Sequence, residues 1–386
     1  MDGLRMKRTI VKFKDKDTLS NLRAILGRLL ETKLVQALLV PMILPGKNGY
    51  VQSLITDPEK LKDANPLAPT MPVQSARILS DLTSSPSQSL IGAVLKPCEI
   101  RAAVELEKFL QVNLDNILII GVDCPGTYEV KDYAELAERD KEFKAKINPE
   151  VFKEGKMSPG EGPGFREACL ICDYPASLNA DLTFGFFGYD PGKEMALIVS
   201  ERFEKDIQKK LSFRLKEESL TERERIIQKI IAERKKKRSR VLNQLKERTG
   251  SPWKLMEILS TCIRCHNCMN VCPICYCKEC LFESSVFEHR ADQFLGWSGR
   301  KGAIRMPTDT LLFHLTRMSH MAASCISCGM CESACPNHIP ISRLFALMGG
   351  ELQAMFAYVP GLEPAAEPPV TVFKESELQA ETGARD

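Results

Sequence analysis

Residues 262–273, Cys262-Ile263-Arg264-Cys265-His266-Asn267-Cys268-Met269-Asn270-Val271-Cys272-Pro273, have the spacing C-x2-C-x2-C-x3-C-P. Residues 325–336, Cys325-Ile326-Ser327-Cys328-Gly329-Met330-Cys331-Glu332-Ser333-Ala334-Cys335-Pro336, repeat it. Three thiolates two residues apart can wrap one 4Fe-4S cubane, while the fourth, turned away ahead of a proline, reaches a second cubane. On that spacing Cys262, Cys265, Cys268 and Cys335 form one ligand set, and Cys325, Cys328, Cys331 and Cys272 the other. Zinc is the competing reading. Zinc knuckles take four ligands in two C-x2-C pairs, commonly with His, and a triple run closed by Cys-Pro twice over fits them poorly.

Between Cys272 and Cys325 lie 52 residues of helical character, including Asp309 to Met321. The module from 251 to 350 therefore resembles an all-helical dicluster ferredoxin domain, whose work is one-electron transfer. Cys275, Cys277 and Cys280 exceed what two cubanes need. Further ligation, neighbouring thiols and simple burial all remain open for them.

The chain has 386 residues, enough for two or three domains. Its 15 cysteines, an odd number behind an N-terminus without an apolar leader, point to reduced thiols in a cytoplasmic protein rather than to disulfides. No apolar run approaches the roughly 18 residues of a membrane span, so any membrane association would be peripheral, through partners. The net charge of +3 excludes a strongly basic or acidic whole-protein field.

Upstream, the first 125 residues alternate helix-like and strand-like segments, Thr18 to Lys33, Val35 to Met42, Val73 to Leu82, Leu90 to Leu95 and Ile117 to Val122, within a domain expected to span residues 1–200. The expected fold is thus an α/β domain followed by the mostly helical dicluster domain. Two of the apolar runs end in cysteine-bearing turns, Lys96-Pro97-Cys98 and Asp123-Cys124-Pro125-Gly126, where open α/β sheets place ligands. With the pair Cys169 and Cys172, these cysteines could complete a third cubane. Residues 201–250 read as a charged helical connector. From Glu201 to Arg248 it carries 17 Lys/Arg against 9 Asp/Glu, with a narrow apolar stripe at Ile226, Ile227, Ile230 and Ile231. The basic run Arg234 to Arg240 reads as a solvated helix face. A nucleic-acid-binding iron–sulfur protein is the remote alternative, without aromatic interleaving or a G-x4-G-K-[ST] loop to support it. Residues 351–386 read as a flexible or partner-wrapping tail.

The stretches Lys96-Pro97-Cys98-Glu99-Ile100-Arg101-Ala102, Gly121-Val122-Asp123-Cys124-Pro125-Gly126-Thr127, Cys169-x2-Cys172, Ala180-Asp181 with Gly185-x2-Gly188, and Trp253 followed by Cys262 to Cys280 resemble the beta-subunit family of deazaflavin-reducing (coenzyme F-420) hydrogenases and formate dehydrogenases. The resemblance implies FAD beside one 4Fe-4S cluster in the α/β domain, making it a flavin and iron–sulfur domain. Cys98, Cys124, Cys169 and Cys172 would ligate that cluster, and Lys96, Pro97, Thr183, Gly185, Phe186 and Gly188 would line the flavin. It further implies an oxidoreductase subunit that uses a soluble nicotinamide or deazaflavin hydride carrier. The catalytic formate dehydrogenase or hydrogenase subunit, or a heterodisulfide-reductase-like one, would be a separate chain, and the resemblance assigns no catalytic residue to this one. Family members carry a Cys-Gly-Gly turn before the first helix, where this chain has Lys14-Asp15-Lys16-Asp17-Thr18. A flavin-free electron wire is the alternative that this departure keeps open.

Overall fold

Seven strands, β1 (Met6–Lys12), β2 (Ala37–Ile43), β3 (Tyr50–Ile55), β4 (Ile91–Leu95), β5 (Ile117–Val122), β6 (Leu182–Gly185) and β7 (Glu194–Ser200), form one sheet in the order β1-β7-β6-β5-β4-β2-β3. The computed structural model describes residues 6–46, 48–85, 88–139, 149–156, 163–303, 309–369 and 371. The N-terminal pentapeptide and residues 372–386 of the tail lie outside these.

Strands β2, β4, β5 and β6 run parallel, and β3, β7 and β1 pair antiparallel with their neighbours. Strand β5, Ile-Leu-Ile-Ile-Gly-Val, is buried along its whole length, which is why it reads as a continuous apolar run and not an alternating one. Its one glycine answers a close approach: a Cβ on Gly121 would meet the Ser177 Cβ at 2.5 Å and the Ala180 Cβ at 2.9 Å.

Among the described residues, eight α-helices belong wholly or partly to this unit: α1 (Thr18–Glu31), α2 (Ser75–Leu82), α3 (Pro97–Lys108), α4 (Val130–Arg139), α5 (Pro149–Lys153), α6 (Glu167–Leu170), α7 (Glu204–Leu211) and α8 (Thr221–Arg248). Helix α1 buries Leu19, Leu22, Ile25, Leu26, Leu29 and Leu30 as one stripe. The Asp17 carboxylate caps it by accepting from the amides of Leu19 and Ser20 at 3.2 and 3.3 Å. The turn Lys14 to Thr18 is therefore a helix cap.

The chain divides into two compact units, residues 1–239 and 240–386. The first extends well past residue 200 because Ile226, Ile227 and Ile230 of α8 are buried in the core beneath the sheet. The stretch read as one charged helix is two. Ser212, at φ 58°, ends α7 in the left-handed region, and α8 starts only at Thr221.

The second unit holds α9 (Pro252–Leu259), α10 (Asn267–Asn270), α11 (Ala291–Lys301), α12 (Thr310–Met321), α13 (Met330–Ser333) and α14 (Ile341–Met355), with no strand among the described residues. Its apolar interior includes Phe313, Met318, Met321, Met330, Leu344 and Phe345.

Candidate functional site

The two cysteine runs adopt one local conformation twice. In the first, Arg264 and His266 take positive φ (54° and 57°) and α10 follows; in the second, Ser327 and Gly329 do so (59° and 81°) and α13 follows. Positive φ at non-glycine residues is uncommon and concentrates where the chain must present groups inward. Each run closes alike, Cys272 N donating to Met269 O at 3.1 Å and Cys335 N to Glu332 O at 3.0 Å.

The pairs so formed cross. Cys262, Cys265 and Cys268 line one cavity together with Cys335 of the second run. Cys325, Cys328 and Cys331 line another together with Cys272 of the first. Among the described residues, no three Cys, His, Asp or Glu side chains converge closely enough to hold a single metal ion. Burial pushes the Cys268 thiol up to about 11, with Arg317 opposing and Cys262, Cys335 and Cys265 adding to the rise. Burial and the neighbouring thiols Cys272, Cys328 and Cys325 hold Cys331 well above the ordinary thiol range. Four crowded thiols ionise together only when a polycation joins them, so the donor set fits an iron–sulfur group.

Helix α12 supplies polar groups to both sites. The imidazole Nε2 of His314 lies 3.3 Å from Cys262 Sγ, and Arg317 Nη1 donates to Cys268 Sγ at 3.1 Å. Burial, with Arg317 and His266 nearby, lowers His314 to about 4. Cys275, Cys277 and Cys280 line neither cavity. Burial followed by the Cys272 thiol pushes Cys275 up to about 11, Cys280 Sγ lies 3.6 Å from Met269 Sδ, and Cys277 is exposed.

In the α/β unit the parallel strands deliver three segments to one sheet edge: Lys96 to Cys98 after β4, Asp123 and Cys124 after β5, and Phe186 to Gly188 after β6. Glu99 joins the starts of α2 and α3, its carboxylate accepting from Ser75 N at 3.0 Å and Lys96 N at 2.8 Å. Cys98 thus sits in the first turn of α3, its carbonyl accepting from Gln74 Nε2 at 3.2 Å. Cys124 and Cys169 are electrostatic neighbours, with Lys96 and Arg234 also acting on Cys124. Burial raises Cys124 to about 11. At Cys169 burial also acts upward, but the Arg166 cation and the Thr127 hydroxyl, 3.5 Å away, outweigh it and the thiol falls below its usual range.

Helix α8 holds this edge from behind. Arg223 Nη2 meets Asp123 Oδ1 at 2.5 Å, and Asp123 Oδ2 accepts from Arg223 Nε and from the amides of Phe186 and Phe187. Arg234 Nη2 donates to Pro125 O at 2.5 Å and Nη1 to Cys172 O at 3.4 Å. The basic run read as solvated therefore begins with an arginine only 2% exposed. Its position continues the Ile226–Ile230 stripe by one more step of four, the one signal in the sequence that marks it as inward.

The segment assigned to the flavin is held within the domain. Thr183 and Phe186 are buried, a Cβ on Gly185 would meet Arg223 Nε at 2.6 Å, and Gly188, at φ +81°, abuts the backbone of Glu222. Lys96 and Pro97, at the strand end beside Cys124, are also buried.

An α/β unit and a helical unit with two crossed cysteine runs define an iron–sulfur protein of the dicluster type. Residues 257–339 match the 4Fe-4S dicluster domain, and residues 89–224 match the family described as the C terminus of the coenzyme F420 hydrogenase/dehydrogenase beta subunit. The F420-dependent formate dehydrogenase subunit beta of Methanocaldococcus jannaschii is 29% identical over 370 residues, covering 89% of this chain and 92% of its own. The F420-dependent formate dehydrogenase 1 subunit beta of Methanococcus maripaludis is 30% identical over 305 residues, 72% of this chain and 74% of its own. The chain belongs to the coenzyme F420 hydrogenase/dehydrogenase beta-subunit family. A chain of the solved F420-reducing NiFe hydrogenase complex from Methanosarcina barkeri aligns with a TM-score of 0.45 at 14% identity, covering 62% of this chain and 92% of its own. No helix among the described residues is long and apolar enough to cross a membrane.

Proposed function

We propose that this chain is the electron-transfer beta subunit of an F420-dependent formate dehydrogenase or hydrogenase assembly, in which a partner chain oxidises the substrate. The crossed pairing of the cysteine runs carries this reading. Cys262, Cys265, Cys268 and Cys335 hold one 4Fe-4S cluster, and Cys272, Cys325, Cys328 and Cys331 the other. Such clusters exchange electrons singly, and a flavin supplies the conversion between a hydride and single electrons.

In the α/β unit the proposal places a third cluster at Cys98, Cys124, Cys169 and Cys172, with FAD at the same sheet edge. Supporting it are the convergence of the strand ends and the cations Lys96, Arg166 and Arg234 around Cys124 and Cys169, which suit an anionic group. Lys96 and Pro97 remain the contacts proposed for the flavin. Gly185 and Gly188 serve it indirectly by leaving room for α8, Phe186 does so through its amide bond to Asp123, and Thr183 is buried within β6.

The test uses the full chain, purified without air and supplied with FAD. Reduced deazaflavin coenzyme is expected to give the paramagnetic signal of reduced clusters. Reduction by dithionite alone, with no flavin absorbance on the protein, would replace the hydride-accepting role with the flavin-free wire.

A further inference from the structure

Helix α12 serves both cysteine sites: Phe313 and His314 line the cavity of Cys262, Cys265, Cys268 and Cys335, while Arg317 and Met321, a turn further on, line that of Cys272, Cys325, Cys328 and Cys331. Arg317 touches the first site as well. Its Nη1 donates to Cys268 Sγ at 3.1 Å and its Nη2 to the Cys268 carbonyl at 3.0 Å. The residue is 4% exposed, and its guanidinium lies 5.5 Å from the ring centre of Phe313 and 5.2 Å from that of Phe345.

Among the described residues no carboxylate lies within ion-pair distance of Arg317, and its Nε has no hydrogen-bond acceptor. The contrast with Arg264 in the same unit is informative, since Arg264 pairs with Asp309 Oδ2 at 2.7 Å. A buried cation without a counter-charge is strongly unfavourable, and aromatic faces compensate only part of the lost hydration. The groups aimed at this cation are thiols. Thiolates bound to iron would provide the missing anion, and each electron added to a cubane increases its negative charge by one.

We propose that Arg317 is the shared counter-cation of the two cysteine sites, a positioning residue that makes the clusters held there easier to reduce. The proposal rests on the assignment of iron–sulfur clusters to these cysteines. A cation favours the more negative, reduced form, and N–H···S bonds to the ligating sulfur act in the same direction. The direct bond to Cys268 makes the effect larger at the site of Cys262, Cys265, Cys268 and Cys335.

The experiment compares wild type, Arg317→Gln and Arg317→Lys as full chains, first by iron and sulfide content and then by redox titration followed by paramagnetic resonance. Arg317→Gln is expected to weaken the reduction equilibrium of one cluster at least tenfold, about 59 mV lower for a one-electron couple, and that of the other by less. Arg317→Lys is expected to fall between it and wild type, because an ammonium keeps the charge but loses the fork that grips Sγ and carbonyl together. Loaded Arg317→Gln protein with both potentials unchanged would overturn the proposal, leaving Arg317 only to hold the Cys268 carbonyl. If the Gln variant does not take up iron, the uncharged Arg317→Met variant decides, and wild-type potentials in the loaded Met protein overturn the proposal equally. Wild-type protein without cubanes would sink the cluster assignment itself, and is read separately from the first measurement.

Discussion

Replacing Asp123 by Ala is expected to destabilise the α/β unit by about 3–5 kcal/mol, the usual consequence of removing one member of a buried ion pair. The Asp123 side chain is fully buried and that of Arg223 is 9% exposed. The substitution leaves the guanidinium without a partner and the amides of Phe186 and Phe187 without their acceptor. Thermal unfolding under anaerobic conditions should show the transition of this unit lowered by on the order of 10 °C. Replacing Arg223 as well, by Met, should restore part of the loss, since no isolated charge then remains. Strict additivity of the two variants would mean that the pair does not act as one unit.

The second large effect concerns the crossed ligation. Cys272→Ala with Cys331→Ala should remove a single cluster, about four iron atoms, because both residues face one cavity. Cys272→Ala with Cys268→Ala should remove both clusters of the helical unit, about eight iron atoms, because those residues face different cavities. Had each run served its own cluster, the two outcomes would be exchanged. Iron analysis of the two double variants, against the single ones, separates the cases.

Local patterns were legible in the sequence, and of the long-range pairings only the crossing of the cysteine runs was. The cysteine runs could be read because ligand spacing within a loop is a local property, and the crossing followed from the proline behind each fourth cysteine. The strands β4 and β5 could be read because a buried parallel strand is a short, unbroken apolar run, and the turns after them lie where the sheet ends. Asp123 and Arg223 are 100 residues apart, and nothing local to either marks their pairing. Nothing local marks Arg317 in the sequence, because its direction depends on how α12 packs beside both cysteine sites. The break between α7 and α8 escaped a reading by charge and propensity, since Ser212 to Leu220 continues the same polar composition. Arg234 was hidden by its company, a basic run of which one member turns inward.

The most direct measurement is the iron, acid-labile sulfide and zinc content of the wild-type chain purified without air. Three clusters predict about twelve iron atoms matched by about as much sulfide, with the share of Cys98, Cys124, Cys169 and Cys172 lost if only about eight are found. Zinc bound without sulfide would contradict the account.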